Sequence, residues 1–226
     1  YFGVTLQDPY RWLENDTSAE TAEWVKAENA VTFSYLEKIP FHNKLKDRLT
    51  KLWNYERYSA PFKKADKYFF YKNDGMQNQS VLYVQTGLDG EPKVLLDPNK
   101  LSTDGTTSLA AIGISGDAKY LGYAISKGGS DWNEIYVLNI ETGETLKDVL
   151  KWVKFSSVSW FKEGFYYSCY NAPKGAEYSA TNEYHKLYYH RLGEPQEKDE
   201  LVLEDNENAK INFGAEVNEE QTMLVV

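Results

Sequence analysis

The chain has 226 residues, 42% of them hydrophobic and 15% aromatic, with 25 Lys and Arg against 34 Asp and Glu for a net charge of −9. So many aromatics build a core rather than a disordered chain, and no apolar run reaches the ~18 residues of a membrane-spanning helix. The acidic balance speaks against nucleic acid or an anionic membrane as partner, and the single cysteine, Cys169, excludes an internal disulfide and any zinc site built on thiolates. The start at Tyr1 shows no h-region, which leaves the compartment open between cytoplasm and periplasm.

Residues 1–54 read as helical. Thr17-Ser18-Ala19-Glu20 has the spacing of a capping box, a hydroxyl followed three residues later by a carboxylate. Trp24, Ala27, Val31 and Tyr35 then fall at helical spacing. After the interruption at Pro40, Leu45, Leu49, Leu52 and Trp53 mark a second amphipathic helix. Core packing is the expected use of both apolar faces.

From Tyr55 onward the texture is that of strands. Alternating runs rich in Tyr, Phe, Val and Ile are predicted at Lys67–Lys72, Val81–Thr86, Lys93–Leu96, Tyr120–Ile125, Ile135–Ile140, Phe165–Tyr170, Leu187–Leu192 and Leu201–Leu203. Turn chemistry separates them at Asn73-Asp74-Gly75, Leu88-Asp89-Gly90, Thr103-Asp104-Gly105 and Glu141-Thr142-Gly143. No helical period intervenes, which argues against parallel βαβ units.

An internal repeat selects the architecture. Val81-Leu82-Tyr83-Val84, Glu134-Ile135-Tyr136-Val137 and Lys186-Leu187-Tyr188-Tyr189 resemble one another, with tyrosines at intervals of 53 and 52 residues. Each follows an aromatic-rich run and precedes a charged hairpin. Four short antiparallel strands per ~50 residues is the size of a β-propeller blade, whereas a sandwich or barrel gives no such long interval. Residues 55–226 hold a little over three such units, and closed propellers need ~4–8. The last residues, Met223-Leu224-Val225-Val226, look like the middle of a strand, so the expectation is a fragment, or the ordered part, of a longer protein.

The scan for chemistry returns mainly exclusions. Gly128-Gly129-Ser130-Asp131-Trp132 fails the nucleophile-elbow pattern at its last position, and there is no P-loop, dinucleotide fingerprint or H-E-x-x-H. His185 and His190, five apart on one strand, point to opposite faces and read as surface or satisfied buried histidines rather than a metal pair. Cys169 has no basic neighbour in its aromatic run and reads as an inert, half-buried thiol. No catalytic residue, metal site or cofactor is therefore expected here. Asn171 to Glu183 lengthens the third unit's central connection with small, polar residues, a segment either functional or disposable.

Five strings in register carry a resemblance: Asp8-Pro9-Tyr10-Arg11-Trp12-Leu13-Glu14, Gly75-Met76-Gln77-Asn78-Gln79, Gly129-Ser130-Asp131-Trp132, Val153-Lys154-Phe155-Ser156 and His185-Lys186-Leu187-Tyr188-Tyr189-His190. In that order and spacing the chain resembles the prolyl oligopeptidase family of serine peptidases, and within it the proline-specific branch rather than the dibasic-cleaving or acylaminoacyl branches. The resemblance implies a mainly β chain. Residues 1–54 would be the N-terminal helical segment that packs on an α/β-hydrolase domain absent from this chain. Residues 55–226 would be blades one to three and the start of the fourth in a seven-bladed β-propeller.

It further implies acyl transfer by a Ser-Asp-His triad beyond residue 226, with no cofactor or metal. The partners would be short proline-containing peptides and the rest of the same polypeptide, in a monomer, with the propeller restricting access. The length and small, polar composition of the Asn171–Glu183 segment, for their part, predict a mobile loop at the domain interface that gates peptide entry. Three positions match substrate-proximal ones. Phe155 corresponds to a phenylalanine lining the apolar subsite beyond the proline pocket, unless it merely packs between blades. Asn212 stands where the family's mammalian members carry methionine in that subsite. Asp131 matches a carboxylate facing the domain interface, or serves an Asx-turn in its hairpin. The rival from another class is a non-catalytic β-propeller acting as an interaction scaffold.

Overall fold

The computed structural model describes residues 2–15, 17–173 and 181–226, which fall into two compact units, one within residues 2–54 and the other formed by 55–173 with 181–226. In the first unit a 3-10 turn at Arg11–Glu14 precedes α1 (Ala19–Glu37) and α2 (His42–Trp53). The cap differs from the expected box. Ser18, not Thr17, is the N-cap, with extended backbone and its Oγ accepting from the Thr21 N–H at 3.1 Å. A turn explains the shift by one: Ser18 donates from both its N–H and its Oγ to the Asn15 carbonyl, which leaves Ser18 the last non-helical residue.

The expected core packing of these helices is not seen within the described residues. Only Thr21 of α1 is buried and nothing of α2, while Tyr35 and Trp53 stay 71% and 59% exposed. Two helices alone cannot form a second layer that covers both apolar stripes.

The second unit is built from fifteen short strands. They are β1 (Arg57–Tyr58), β2 (Phe62–Lys64), β3 (Lys67–Asn73), β4 (Val81–Thr86), β5 (Lys93–Leu96), β6 (Thr107–Ile114), β7 (Tyr120–Lys127), β8 (Asn133–Asn139), β9 (Thr145–Val153), β10 (Ser159–Phe161), β11 (Gly164–Cys169), β12 (Lys186–Arg191), β13 (Glu200–Glu204), β14 (Glu216–Val217) and β15 (Leu224–Val225). All pair antiparallel. β2 to β5 form the first four-stranded meander, β6 to β9 the second and β10 to β13 the third, and β14–β15 is a further hairpin. One bridge, Val153 to Cys169, joins the second meander to the third.

The tyrosine repeat has a physical basis in the pairing. Tyr83, Tyr136 and Tyr188 each sit on the third strand of a meander, opposite an aromatic of the second strand. The pairs are Phe70–Tyr83, Tyr123–Tyr136 and Tyr167–Tyr188. In each the rings stack, with centroids 5.5, 5.7 and 6.0 Å apart. The ladder to the fourth strand slips its register next to each tyrosine, before the tyrosine in the first and third units and after it in the second. The residue before the tyrosine (Leu82, Ile135, Leu187) is fully buried each time.

Two clusters form the core. One gathers Phe69, Leu82, Leu96, Leu121, Tyr123 and Leu138, and the other Ile135, Val137, Leu150, Trp160, Phe165 and Tyr167. Between β6 and β10 the backbones come so close that a Cβ at Gly113 would collide with the Val158 carbonyl, and Trp160 Nε1 donates to the Gly113 carbonyl at 2.8 Å.

β6, β9 and β10 were not among the predicted runs, nor were the two- and three-residue strands β1, β2 and β14, while β15 falls within the strand expected at residues 223–226. Residues 174–180 of the β11–β12 connection, on which the gating expectation rests, lie outside the described residues.

Candidate functional site

The β7–β8 loop, the exit of β9, the exit of β11 and the entry to β12 converge on one cluster of aromatic and polar side chains. Gly128 and Gly129, at φ 61° and 73°, reverse the β7–β8 loop, and Ser130 Oγ accepts from the Trp132 N–H at 3.0 Å to fix the turn that projects Asp131. At the end of β9, Trp152 and Phe155 take left-handed backbone at φ 60° and 52°. For bulky residues that conformation is costly, of order 1–3 kcal/mol each, and it persists only where the surroundings enforce it. The two left-handed residues bracket Val153, which is buried, and Lys154, and leave the Phe155 ring 57% exposed.

Trp132 is the hub. Its ring meets Trp152 edge-on at 5.7 Å and Tyr170 at 6.1 Å, and the Lys154 Nζ stands 4.7 Å over it. The same ammonium lies 5.7 Å from the Phe155 ring, 3.7 Å from Asp131 Oδ2 and 3.4 Å from Asn182 Oδ1, although the Lys154 side chain is only 9% exposed. Tyr170 donates its hydroxyl to Asn212 Oδ1 at 2.6 Å and packs on His185 with ring centroids 4.5 Å apart.

His185 holds the floor. Its Nδ1 accepts from the Phe213 N–H at 3.0 Å, so Nε2 carries the proton and donates to the Lys154 carbonyl at 2.9 Å. That arrangement satisfies the neutral ring, and burial pulls its pKa below the ordinary histidine value. The cluster thus presents one cation and one carboxylate, with Phe155, Asp131 and Asn212 all on its exposed side. Chemically it is a neutral, aromatic-walled surface with polar points, suited to an apolar side chain.

Asp131, Phe155 and Asn212, the three positions read from the sequence, therefore gather around one hub. Lys154, Trp132, Trp152, Tyr170, Asn182 and His185, which hold them there, were not singled out as site residues. The strings Gly129-Ser130-Asp131-Trp132 and Val153-Lys154-Phe155-Ser156 contained two of them, Trp132 and Lys154. What was not legible is that the two strings meet.

No nucleophile accompanies them among the described residues. Burial pushes the Cys169 thiol up to about 12, so it stays protonated. The second buried titratable group lies at the other end of β12. His190 faces Asp199 Oδ1 at 2.7 Å through Nδ1 and Asp148 Oδ1 at 3.0 Å through Nε2. Burial alone would lower its pKa, but the hydrogen bonds to Asp199 and Asp148 outweigh this and raise it. Tyr167 also donates to Asp199 Oδ2, and the Gly193 N–H to Asp148 Oδ1, so each carboxylate has a second donor besides His190.

Comparisons with known proteins agree with this architecture. The family profile described as "Prolyl oligopeptidase, N-terminal beta-propeller domain" matches residues 1–226. The chain is 47% identical over 228 residues to a prolyl endopeptidase of Elizabethkingia meningoseptica, covering all of this chain and 32% of that one. It is 37% identical over 249 residues to prolyl oligopeptidase A of Amanita bisporigera, covering 96% and 32%. Among solved structures, prolyl oligopeptidase B of Galerina marginata bound to a 25mer macrocyclization substrate superposes with a TM-score of 0.80 at 32% identity, covering 98% of this chain and 34% of that one. The chain thus spans about a third of the length of the relatives it matches. Mainly β, with short N-terminal helices before strands of the β-propeller domain, the chain belongs to the prolyl oligopeptidase family.

Proposed function

We propose that this chain is the N-terminal third of a proline-specific serine endopeptidase that cleaves short peptides on the carboxyl side of proline. The observation that carries the reading is the cluster around Trp132. It keeps a large aromatic, Phe155, exposed in a strained backbone conformation, beside a carboxylate whose charge a lysine offsets.

In this reading residues 1–54 belong with the hydrolase domain, whose contact would cover the open faces of α1 and α2. Residues 55–226 are blades one to three and the opening of the fourth in a seven-bladed propeller. The remainder of the polypeptide supplies serine, histidine and aspartate for acyl transfer. Serine attacks the carbonyl after proline, histidine carries the proton, and preorganised donors stabilise the oxyanion. The residues of this chain take part by binding. Phe155 forms a wall for the substrate side chain two residues before the cleaved proline. Asn212, held by Tyr170, offers a polar edge to the same place, and Asp131 sets the local potential. The close balance of Asp131 and Lys154 favours an uncharged side chain there. The family relatives named as prolyl endopeptidases support this activity, and the Galerina complex shows a relative holding a long peptide.

The test is hydrolysis by the full-length polypeptide. A purified preparation should release the reporter from an N-blocked Gly-Pro amide and not from its Gly-Ala counterpart, and a serine-directed phosphonate should abolish the release. A correctly folded full-length protein without proline-dependent turnover would contradict the reading and leave the scaffold alternative.

A further inference from the structure

We propose that Lys154 is a positioning residue of this surface, whose buried ammonium holds Phe155 and Asp131 in the arrangement that selects the substrate. The inference rests on the proposed peptidase activity and names the group that sets its side-chain preference.

The environment of the ammonium is the argument. It is withdrawn from solvent, and among the described residues it has no close ionic partner. Its nearest carboxylate, Asp131 Oδ2, is 3.7 Å away on a side chain 77% exposed, and Asn182 Oδ1 at 3.4 Å is neutral. Neither distance is that of a tight charge-assisted hydrogen bond. The remaining contacts are ring faces, Trp132 at 4.7 Å and Phe155 at 5.7 Å. A buried cation kept by two rings, one amide and one distant carboxylate is placed as a centre of attraction for several groups at once, rather than as half of a salt bridge.

Those groups come from different parts of the chain. Asp131 and Trp132 belong to the glycine-reversed loop after β7, Phe155 follows β9, and Asn182 lies at the entry to β12. The main chain of Lys154 is fixed separately, by the hydrogen bond from His185 to its carbonyl. Its position is therefore set by the sheet, while its charge draws in the loop that carries Asp131 and steadies the left-handed Phe155. Without the charge, the stem could still fill its space, but nothing would hold the Phe155 ring and the Asp131 loop at a common distance.

The experiment compares full-length wild type with Lys154→Met, which keeps the stem, and Lys154→Arg, which keeps the charge. Two reporters are used, N-blocked Phe-Gly-Pro and Gly-Gly-Pro amides, and the readout is the ratio of their kcat/KM values. Lys154→Met is expected to lower that ratio about 3- to 10-fold through a higher KM for the Phe reporter, as loss of a desolvated cation–ring attraction implies. The Gly reporter should keep its kcat, Lys154→Arg should restore most of the ratio, and in a Phe155→Ala background Lys154→Met should change the ratio no further.

An unchanged ratio in Lys154→Met, or an equal loss on both reporters that Lys154→Arg does not rescue, would overturn the proposal. Should Lys154→Met not fold, Asp131→Asn removes only an exposed carboxylate and is expected to lower the same ratio about 2-fold, and no change there would equally overturn it. Wild type that cleaves both reporters alike would remove Phe155 from the surface and this proposal with it. Wild type that cleaves neither would instead sink the peptidase reading itself.

Discussion

The two ends of β12 each bury a histidine completely, and the two rings are biased toward opposite protonation states. His190 meets a carboxylate on either nitrogen, which favours the doubly protonated ring and raises its pKa. His185 accepts on one nitrogen and donates to a carbonyl from the other, the pattern of the neutral ring. Around His190 every charge is internal and satisfied: Asp148 and Asp199 take further donors from Gly193 and Tyr167, and nothing reaches the surface. Around His185 the neutral ring supports a rim where Phe155, Asp131 and Asn212 remain open to solvent. On the proposed reading, one strand serves stability at one end and recognition at the other. Variants at the two ends should therefore fail in different measurements.

The largest effect is expected from the sealed end. His190→Ala leaves two buried carboxylates without their shared cation, and removing one partner from such a network costs about 3–5 kcal/mol. Chemical denaturation of the full-length protein should show that loss, while the preference between peptide reporters, corrected for folded fraction, should stay as in wild type. A variant that keeps its stability would show that the His190 network carries little of the fold.

A smaller effect belongs to the open end. Tyr170→Phe removes the hydroxyl that donates to Asn212, and a single hydrogen bond at a partly exposed site contributes about 0.5–1.5 kcal/mol. The melting temperature should drop slightly, and KM for reporters with a bulky group two residues before proline should shift more than the melting curve. A Tyr170→Phe enzyme identical to wild type on both reporters would detach Asn212 from the site.

The smallest effect is in pH, and it separates the histidines by sign. The folded pKa of His190 lies above its ordinary 6.5, so its contribution is complete below that value and is lost as pH rises through the raised folded one. The folded pKa of His185 lies below 6.5, so its contribution is present above 6.5 and is lost as pH falls toward the depressed folded one. The pair alone places a stability maximum near the ordinary histidine value. Denaturation between pH 5.5 and 8 should show the alkaline decline flatten in His190→Ala and the acid decline flatten in His185→Asn. The reverse assignment would contradict the two protonation states.

The comparison also shows what was legible beforehand. The tyrosines at 83, 136 and 188 announced the unit length because each belongs to a stacked cross-strand pair, and such pairs leave aromatics at fixed positions. β6 escaped notice because Ala110, Ala111 and Gly113 are weak in strand signal, although Gly113 is required where Val158 packs close. β9 escaped because a charged residue, Asp148, stands at an inward position and an apolar one, Val149, at an outward position, and what lets Asp148 be buried is its contact with His190, 42 residues later. Asp131, Phe155 and Asn212 were reached through family resemblance. Their supports were not, because the contacts between Asp131 and Lys154, Lys154 and His185, and Tyr170 and Asn212 cross whole strands. The helices α1 and α2 were legible as helices, while the exposure of their apolar residues was not.

The most direct test of the account is Phe155→Ala in the full-length enzyme, assayed on the Phe-Gly-Pro and Gly-Gly-Pro reporters alongside its melting temperature. Loss of an exposed aromatic wall should cost about 1–2 kcal/mol of transition-state binding, or roughly 5- to 30-fold in kcat/KM on the Phe reporter, with the Gly reporter and the melting temperature nearly unchanged. Early melting together with equal slowing on both reporters would contradict the account, and would make Phe155 a packing residue between blades.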